Sequence, residues 1–153
     1  MQLTFRGLPV SLKWYLISML EVAQDRLRPG RAKDLERKYL SYCPDDKRAP
    51  FDEATQQLNE AFIRVRKGKF VPFADWIHPS YRDLVIDELA ADPELRTQFL
   101  RSASLEGVKL AVSDTGGQEG LRRLPFMLSA ESWDVLEERA LVIVRMLGKD
   151  RDL

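Results

Sequence analysis

The hydrophobic pattern of the chain changes near residue 62, and this change limits the folds that the chain can adopt. Before it, residues 11–27, 31–42 and 51–62 each carry apolar side chains at the i, i+3, i+4 and i+7 spacing of an amphipathic helix. After it, "FIRVRKGKFVPF" alternates apolar and basic residues, with a tight turn at Lys67-Gly68, which is typical of a β-hairpin. Helix, helix, helix and hairpin, in that order, predict a winged helix-turn-helix.

The three helical stripes also predict the core. The inward positions are Leu12, Tyr15, Leu16, Met19, Leu20, Ala23 and Leu27, then Leu35, Tyr39 and Tyr42, then Phe51, Ala54, Leu58, Ala61 and Phe62. Ser11 is the expected N-cap of the first helix. Pro72 cannot donate a ladder hydrogen bond, so the second hairpin strand is predicted at a sheet edge.

Helical patterns return after residue 78. Ser80 and Asp83 have the spacing of a capping box, and Asp92-Pro93 predicts the start of another helix, to about residue 103. A last helix is predicted over 130–147 and ends at Gly148. Its expected buried stripe is Trp133, Leu136, Ala140, Val144 and Leu147. The chain is therefore predicted to be mainly α, with a winged-helix domain over 1–90 and a helical extension over 91–153.

Composition restricts the partners. Lys and Arg total 24, and Asp and Glu also total 24. The formal net charge of zero argues against nucleic acid as a partner of the chain as a whole. A single cysteine and a single histidine exclude an internal disulfide and a His/Cys metal cluster within the chain. No apolar run approaches the roughly 18 residues of a membrane span, and no signal peptide is visible. These features predict a cytoplasmic protein with no membrane partner.

The glycine-rich stretch "DTGGQEG", residues 114–120, contains two motifs known from enzymes. The D-x-x-G switch of small GTPases needs a G-x-x-x-x-G-K-[ST] loop, which the chain lacks. The Asp-Thr-Gly triplet of aspartic proteases needs a second carboxylate and an all-β fold. We interpret the stretch as a loop. Since no nucleophile has an oriented base either, we expect no enzymatic activity.

The third helix and the hairpin carry opposite charges. The helix has Asp52, Glu53 and Glu60 and no basic residue, so its face repels phosphate, although its Gln and Asn side chains could read bases. The hairpin concentrates four cations: Arg64, Arg66, Lys67 and Lys69. They form either a nucleic-acid contact or an exposed edge whose charges discourage strand pairing.

The only histidine lies in "WIHPSYRDLV", residues 76–85. The longer run "LNEAFIRVRKGKFVPFADWIHPSYRDLVIDEL" resembles the winged helix of STAND-class NTPases, the class that includes NOD-like receptors and bacterial relatives. His78, Ser80, Arg82 and Asp83 coincide with the His, Ser, Arg and Asp of the bacterial motif. The resemblance covers about residues 10–100, and residues 104–153 fit only loosely.

In that family the motif histidine reaches the β-phosphate of ADP on the preceding NTPase domain and helps to hold the inactive state. The resemblance thus implies a non-catalytic regulatory segment of a defence-signalling ATPase, with nucleotide-sensing residues His78, Ser80, Arg82 and Asp83. The implied partner is an NTPase domain in the same or another chain. The chain alone would hold no cofactor, and ADP or ATP would be bound once it is joined to that domain.

Two other interpretations of the chain are a nucleic-acid-binding module that uses the basic hairpin and a plain protein-interaction domain. His78 itself could equally be a structural residue that caps a helix and packs against Trp76 or Tyr81.

Overall fold

The computed structural model describes residues 4–23, 29–69, 71–112 and 130–151. In these residues the protein is mainly helical, with seven α-helices and one three-stranded antiparallel sheet. The chain divides into two compact units, Met1–Glu88 and Leu89–Leu153. No helix among the described residues is long and apolar enough to cross a membrane. The predicted loop at 114–120 and the expected core position Leu27 lie outside the described residues.

The first unit contains four helices and three short strands, and its last helix runs on into the second unit. In chain order they are α1 (Val10–Val22), β1 (Gly30–Arg31), α2 (Ala32–Tyr42), α3 (Phe51–Leu58), β2 (Ile63–Lys67), β3 (Pro72–Trp76) and α4 (Pro79–Ala91). The boundary between the two units falls within α4, after Glu88. α1 begins after Pro9, so the predicted N-cap Ser11 lies inside the helix, where it is buried.

α1 is the centre of the first unit, because residues on nearly all of its sides are buried. Trp14, Tyr15, Leu16, Ile17 and Met19 are each at most 1% exposed. A helix that is apolar all round needs neighbours on several sides, and α1 packs against α2, α3 and β1. The inward residues predicted for α2 are confirmed: Leu35, Tyr39 and Tyr42 are buried.

Aromatic rings fill the space between these helices. Tyr15 stacks on Phe51 with ring centres 5.3 Å apart, and Tyr39 is tilted against both rings. The Tyr15 hydroxyl lies 2.9 Å from the Thr55 hydroxyl, so the polar end of the ring is satisfied inside the core. Burial raises the pKa of Tyr15 to about 12 and also raises the pKa of Tyr39.

A buried polar cluster joins α1 to α2, and the hydrophobic pattern gave no sign of it. The side chain of Glu21 on α1 is only 1% exposed, and its carboxylate lies 2.8 Å from Lys38 Nζ on α2. The Tyr42 hydroxyl donates a hydrogen bond to the same carboxylate. Lys38 also lies over the Tyr42 ring, which stacks on Trp14 at 5.5 Å. Every residue of the cluster thus contacts at least one other across the α1–α2 interface, and together these contacts fix α2 against α1.

The sheet has the strand order β1-β3-β2. β3 pairs with both neighbours, so the prediction that it lies at an edge was wrong. Pro72 is tolerated because it is the first residue of β3 and pairs only with Lys67, at the end of β2. β1 was not predicted, because two residues are too few to show an alternating pattern. At the other end of β3, Trp76 Nε1 donates to the Ala23 carbonyl at the C-terminus of α1, at 3.1 Å.

Two turns bound β2. α3 ends at Leu58 instead of Phe62, because Glu60 adopts a left-handed φ of 66° that stops the helix. The Asn59 side chain accepts a hydrogen bond from the Val65 amide and closes this turn. At the far end of β2, an added Cβ on Gly68 would lie 2.3 Å from the Val71 carbonyl oxygen, which leaves no room for a side chain.

The second unit contains α5 (Pro93–Ser102), α6 (Leu105–Val112) and α7 (Ala130–Arg151). Asp92 caps α5 as predicted, since its side chain accepts hydrogen bonds from the Glu94 and Leu95 amides. α6 was not predicted. The predicted end at Gly148 was wrong, because α7 continues through this residue: a single glycine in a helix costs only about 1 kcal/mol relative to alanine.

The stripe predicted to be buried on α7 is largely wrong. Leu136 is buried, whereas Trp133, Val144 and Leu147 are exposed. The buried side of α7 is instead marked by Ser132, Leu136 and Arg139, and the Arg139 Nε group donates to the Ala103 carbonyl at 2.6 Å. The spacing of apolar residues predicted the helix correctly but not its buried face, because α7 has apolar residues on more than one side.

The cluster at Glu21 predicts a large effect of removing its cation. Lys38→Met is expected to lower the free energy of unfolding by about 3 kcal/mol, because a carboxylate stays buried without its ammonium group. Glu21→Gln in the same chain should recover most of this loss, since the amide is neutral and still accepts from Tyr42. Arg6→Met is the control: Arg6 pairs with Glu88 at 2.8 Å but is largely exposed, and its loss should hardly change stability. Urea unfolding measures all three variants, and equal effects of Lys38→Met and Arg6→Met would contradict the prediction.

The raised pKa of Tyr15 predicts a loss of stability at high pH. Below pH 10 the phenol is neutral in both states, and its contribution to stability is complete. Between pH 10 and about pH 12 only the unfolded state ionises, so the free energy of unfolding should fall by about 2–3 kcal/mol. Tyr15→Phe should remove most of that slope and leave a smaller one from Tyr39. Urea midpoints measured from pH 9 to pH 12 check this, and parallel curves for the two proteins would show that Tyr15 is not responsible.

Candidate functional site

His78 lies in the two-residue connection between β3 and α4. The Ile77 amide donates to the Phe62 carbonyl at 3.0 Å, which anchors this connection to the core. Pro79 is the first residue of α4, a position at which its fixed φ suits the helix and its missing N–H costs nothing. His78 is exposed and lies directly before the helix, at the position expected from the sequence.

The His78 side chain caps α4. Its Nδ1 atom accepts a hydrogen bond from the Ser80 amide at 3.2 Å and lies 2.8 Å from the Ser80 hydroxyl. The His78 carbonyl accepts from the Tyr81 amide at 3.0 Å. Because the Ser80 amide can only donate, Nδ1 must carry a lone pair, and a neutral ring then has its proton on Nε2. The capping box predicted for Ser80 and Asp83 was wrong in its cap residue, since His78 takes that place.

The four motif residues divide between the surface and the interior. His78 and Ser80 are exposed and hydrogen-bonded to each other, whereas Asp83 is half-buried and Arg82 is only 7% exposed. Tyr81, between them, packs edge-on against Phe62 with ring centres 5.1 Å apart. An anion that arrives from solvent can thus reach His78 and Ser80, while Arg82 belongs to the buried side of α4.

The four cations of the hairpin form a second candidate site. Arg64, Arg66, Lys67 and Lys69 are all exposed. Arg66 Nη2 lies 3.8 Å from an oxygen of Asp75, a carboxylate on β3 that is only 4% exposed. Sequence reasoning missed Asp75, and only the strand pairing, which places it opposite Arg64, could have indicated it. One of the four cations is therefore partly neutralised within the hairpin.

The neighbouring surface of α3 is acidic. Its exposed residues are Asp52, Glu53, Gln56 and Gln57. Asn59, a candidate base reader, already accepts a hydrogen bond from the Val65 amide. α3 therefore offers two glutamines to bases and two carboxylates that repel phosphates, so the hairpin is the stronger of the two surfaces for nucleic acid.

Among the described residues no three His, Cys, Asp or Glu side chains come together in a way that could hold a metal ion. Cys43 is buried, and its burial raises the pKa of the thiol, which disfavours the nucleophilic thiolate. In the second unit an open depression of about 410 Å³ lies between α5 and α7. It is lined by Pro93, Glu94, Thr97, Gln98, Arg101 and Glu131.

No protein-family model, curated protein or solved structure matches this chain. The interpretation of both candidate sites consequently depends on their geometry and on the motif in the sequence.

The hairpin predicts weak and salt-sensitive binding of duplex DNA. Replacing all four cations, Arg64, Arg66, Lys67 and Lys69, by Gln should abolish whatever binding the chain shows at low salt, because they are the exposed cations of this surface. Replacing Asp52 and Glu53 by Asn and Gln should strengthen it, since two repulsive carboxylates are removed. Fluorescence anisotropy of a labelled duplex over 50–300 mM salt measures both changes. Tight, sequence-specific binding at physiological salt would instead make nucleic acid the primary ligand.

Proposed function

We propose that the chain is the regulatory winged-helix segment of a STAND-type signalling ATPase and senses the nucleotide state of an NTPase domain through His78. The fold part of this proposal is supported by the order of elements in the first unit, in which three helices are followed by a β-hairpin. The hairpin strands also join β1 in one three-stranded sheet. The functional part is supported by the motif at His78, Ser80, Arg82 and Asp83 and by its geometry.

The observation that carries the proposal is the state of the His78 ring. Its Nδ1 edge is held by Ser80, and Nε2 makes no hydrogen bond to a residue that the structure describes. The ring is exposed, so Nε2–H is a fixed donor that faces outward from a helix start. A phosphate oxygen of ADP is a strong acceptor, and the positive end of the helix dipole favours its negative charge.

The backbone amides at the start of α4 can contribute less to phosphate binding than the His78 ring. The Ser80 and Tyr81 amides are already bonded to His78, and Pro79 has no N–H. A phosphate at this position therefore depends on the imidazole, in contrast to the loops that bind phosphate through several free amides. Removing the ring should remove the recognition.

The partner in this proposal is an NTPase domain in the same or another chain, and that domain holds the ADP or ATP. The chain has no G-x-x-x-x-G-K-[ST] loop of its own to cradle phosphates. Its role is accordingly regulatory and non-catalytic: a contact from His78 to ADP stabilises the inactive arrangement, and its loss favours activation.

The exposed cations of the hairpin favour a second candidate, a nucleic-acid-binding winged helix that contacts DNA or RNA through the hairpin. The acidic surface of α3 opposes it, so we rank it below nucleotide sensing. A protein-interaction domain without a ligand is the third candidate.

The variant pair His78→Asn and His78→Ala tests the proposal. Asparagine is a good N-cap, so His78→Asn should keep the stability of the chain, whereas His78→Ala should lower it by about 1 kcal/mol. Both should weaken ADP binding by the NTPase assembly that contains this segment by about 10- to 150-fold, because a hydrogen bond to a charged phosphate is lost. Arg64→Gln, also exposed, is the matched surface control. Release of a fluorescent ADP analogue measures the effect.

The two variants separate sensing from structure. If His78→Asn binds ADP as tightly as the unchanged protein and His78→Ala is merely less stable, the histidine is a helix cap and nothing more. Loss of ADP in His78→Asn with unchanged thermal melting supports the sensor.

A further inference from the structure

An exposed apolar face runs along α7. Trp133, Leu141, Val144 and Leu147 are between 49% and 63% exposed, and their spacing of 8, 3 and 3 residues keeps them on neighbouring sides of the helix. Two further exposed apolar residues, Val142 and Met146, lie on the opposite side. Glu137 interrupts this face between Trp133 and Leu141. Several large apolar side chains exposed on neighbouring sides of one helix indicate an interaction site.

This face adjoins the side of α7 that packs within its own unit. α7 packs against α5 and α6, and its buried side carries Ser132 and Leu136. The Arg139 bond to the Ala103 carbonyl lies on the same side. Leu141 and Val144 point well away from Leu136, and Trp133 points to the neighbouring side. Leu147 lies in line with Leu136, three turns further along the helix, where it is exposed.

Charges along one edge of this face indicate what that partner is. Asp134 and Glu138 lie in the N-terminal half of α7, and Arg145 and Lys149 lie in the C-terminal half. At 100° per residue all four project from the same edge, beside Leu141. Each is exposed and has no partner among the described residues. One edge of the helix is thus acidic at its start and basic at its end.

We propose that α7 pairs with α7 of a second copy of this chain in an antiparallel arrangement. Across a two-fold axis the same edge of both helices lies side by side and runs in opposite directions. One register then places Asp134 next to Lys149 of the second copy and Glu138 next to its Arg145. The symmetry forms each pair twice, and the two apolar faces cover each other beside this row of charge pairs.

A parallel pair does not give this complementarity. It would place the charged edge of one helix beside the opposite edge of the other, near Ile143 and Arg139. The 22-residue helix is about 33 Å long, so the contact is near the small end of specific interfaces. We therefore expect a weak, reversible dimer.

Charge exchange on the full chain tests the register. Glu138→Lys places like charges opposite each other at two symmetric points and should weaken the dimer by about tenfold or more. Adding Arg145→Glu restores opposite charges and should return the affinity to within about threefold of the original. Val144→Glu should abolish association by charging the apolar face. Sedimentation equilibrium measures the dimer, and circular dichroism checks that each variant keeps its helix content.

Cysteine cross-linking tests the direction of the helices. In a Cys43→Ser background, Leu141→Cys lies near the proposed two-fold axis and should form an intermolecular disulfide. Leu147→Cys should not, because the two copies of that residue lie several turns apart in an antiparallel pair. Faster cross-linking at Leu147 than at Leu141 would overturn the arrangement in favour of a parallel pair.

Three further outcomes would also overturn the proposal. The first is a chain that stays monomeric at several hundred micromolar with Trp133 open to a fluorescence quencher. The second is a monomer with Trp133 shielded, which would mean that another part of this chain covers the face. The third is a dimer that Glu138→Lys weakens and Arg145→Glu does not restore.

Discussion

The contact between Glu21 and Lys38 is the constraint on which the first unit depends. A carboxylate that is 1% exposed would be unstable in a core without a nearby cation and a hydrogen-bond donor, and Lys38 and Tyr42 supply both from one face of α2. Apolar packing alone permits two helices to slide or rotate against each other. A buried charge that is satisfied in one register excludes the others, so α2 has one position on α1.

A series of hydrogen bonds also links α1 to the segment that carries the histidine. Trp76 at the end of β3 donates to the Ala23 carbonyl, two residues after Glu21, so the end of the sheet is tied to the end of α1. His78 follows Trp76 by two residues, and the Ile77 amide between them is bonded to Phe62. An exposed side chain usually loses conformational entropy when it binds a ligand. Here the connection on both sides of the ring is already ordered, so part of that cost is met by folding.

The sequence predicted the features that arise from regular spacing and missed those that arise from single contacts. Leu35, Tyr39 and Tyr42 repeat at helical spacing, and Asp92-Pro93 is a local start signal, so both were found. Glu21 was missed because a polar residue in an apolar helix has no periodic signature. β1 was missed because its two residues are defined by pairing with β3. The position of His78 followed from its motif, whereas the cap made by its own side chain needed coordinates.

The crowding at Gly68 has a consequence for how this surface can change in evolution. A side chain at that position would meet the Val71 carbonyl oxygen at 2.3 Å and the Phe73 ring at 2.6 Å, so the turn accepts only glycine. The basic residues on either side of it face solvent and make few contacts. Drift and selection can therefore change the charges of Arg64, Lys67 and Lys69 while the path of the hairpin stays constant, whereas Arg66 is constrained by the buried Asp75 carboxylate beside it. Among descendants of this sequence, we therefore expect Gly68 to stay constant while the charges around it vary. Such a pattern would show that the hairpin is conserved while the surface it presents diverges.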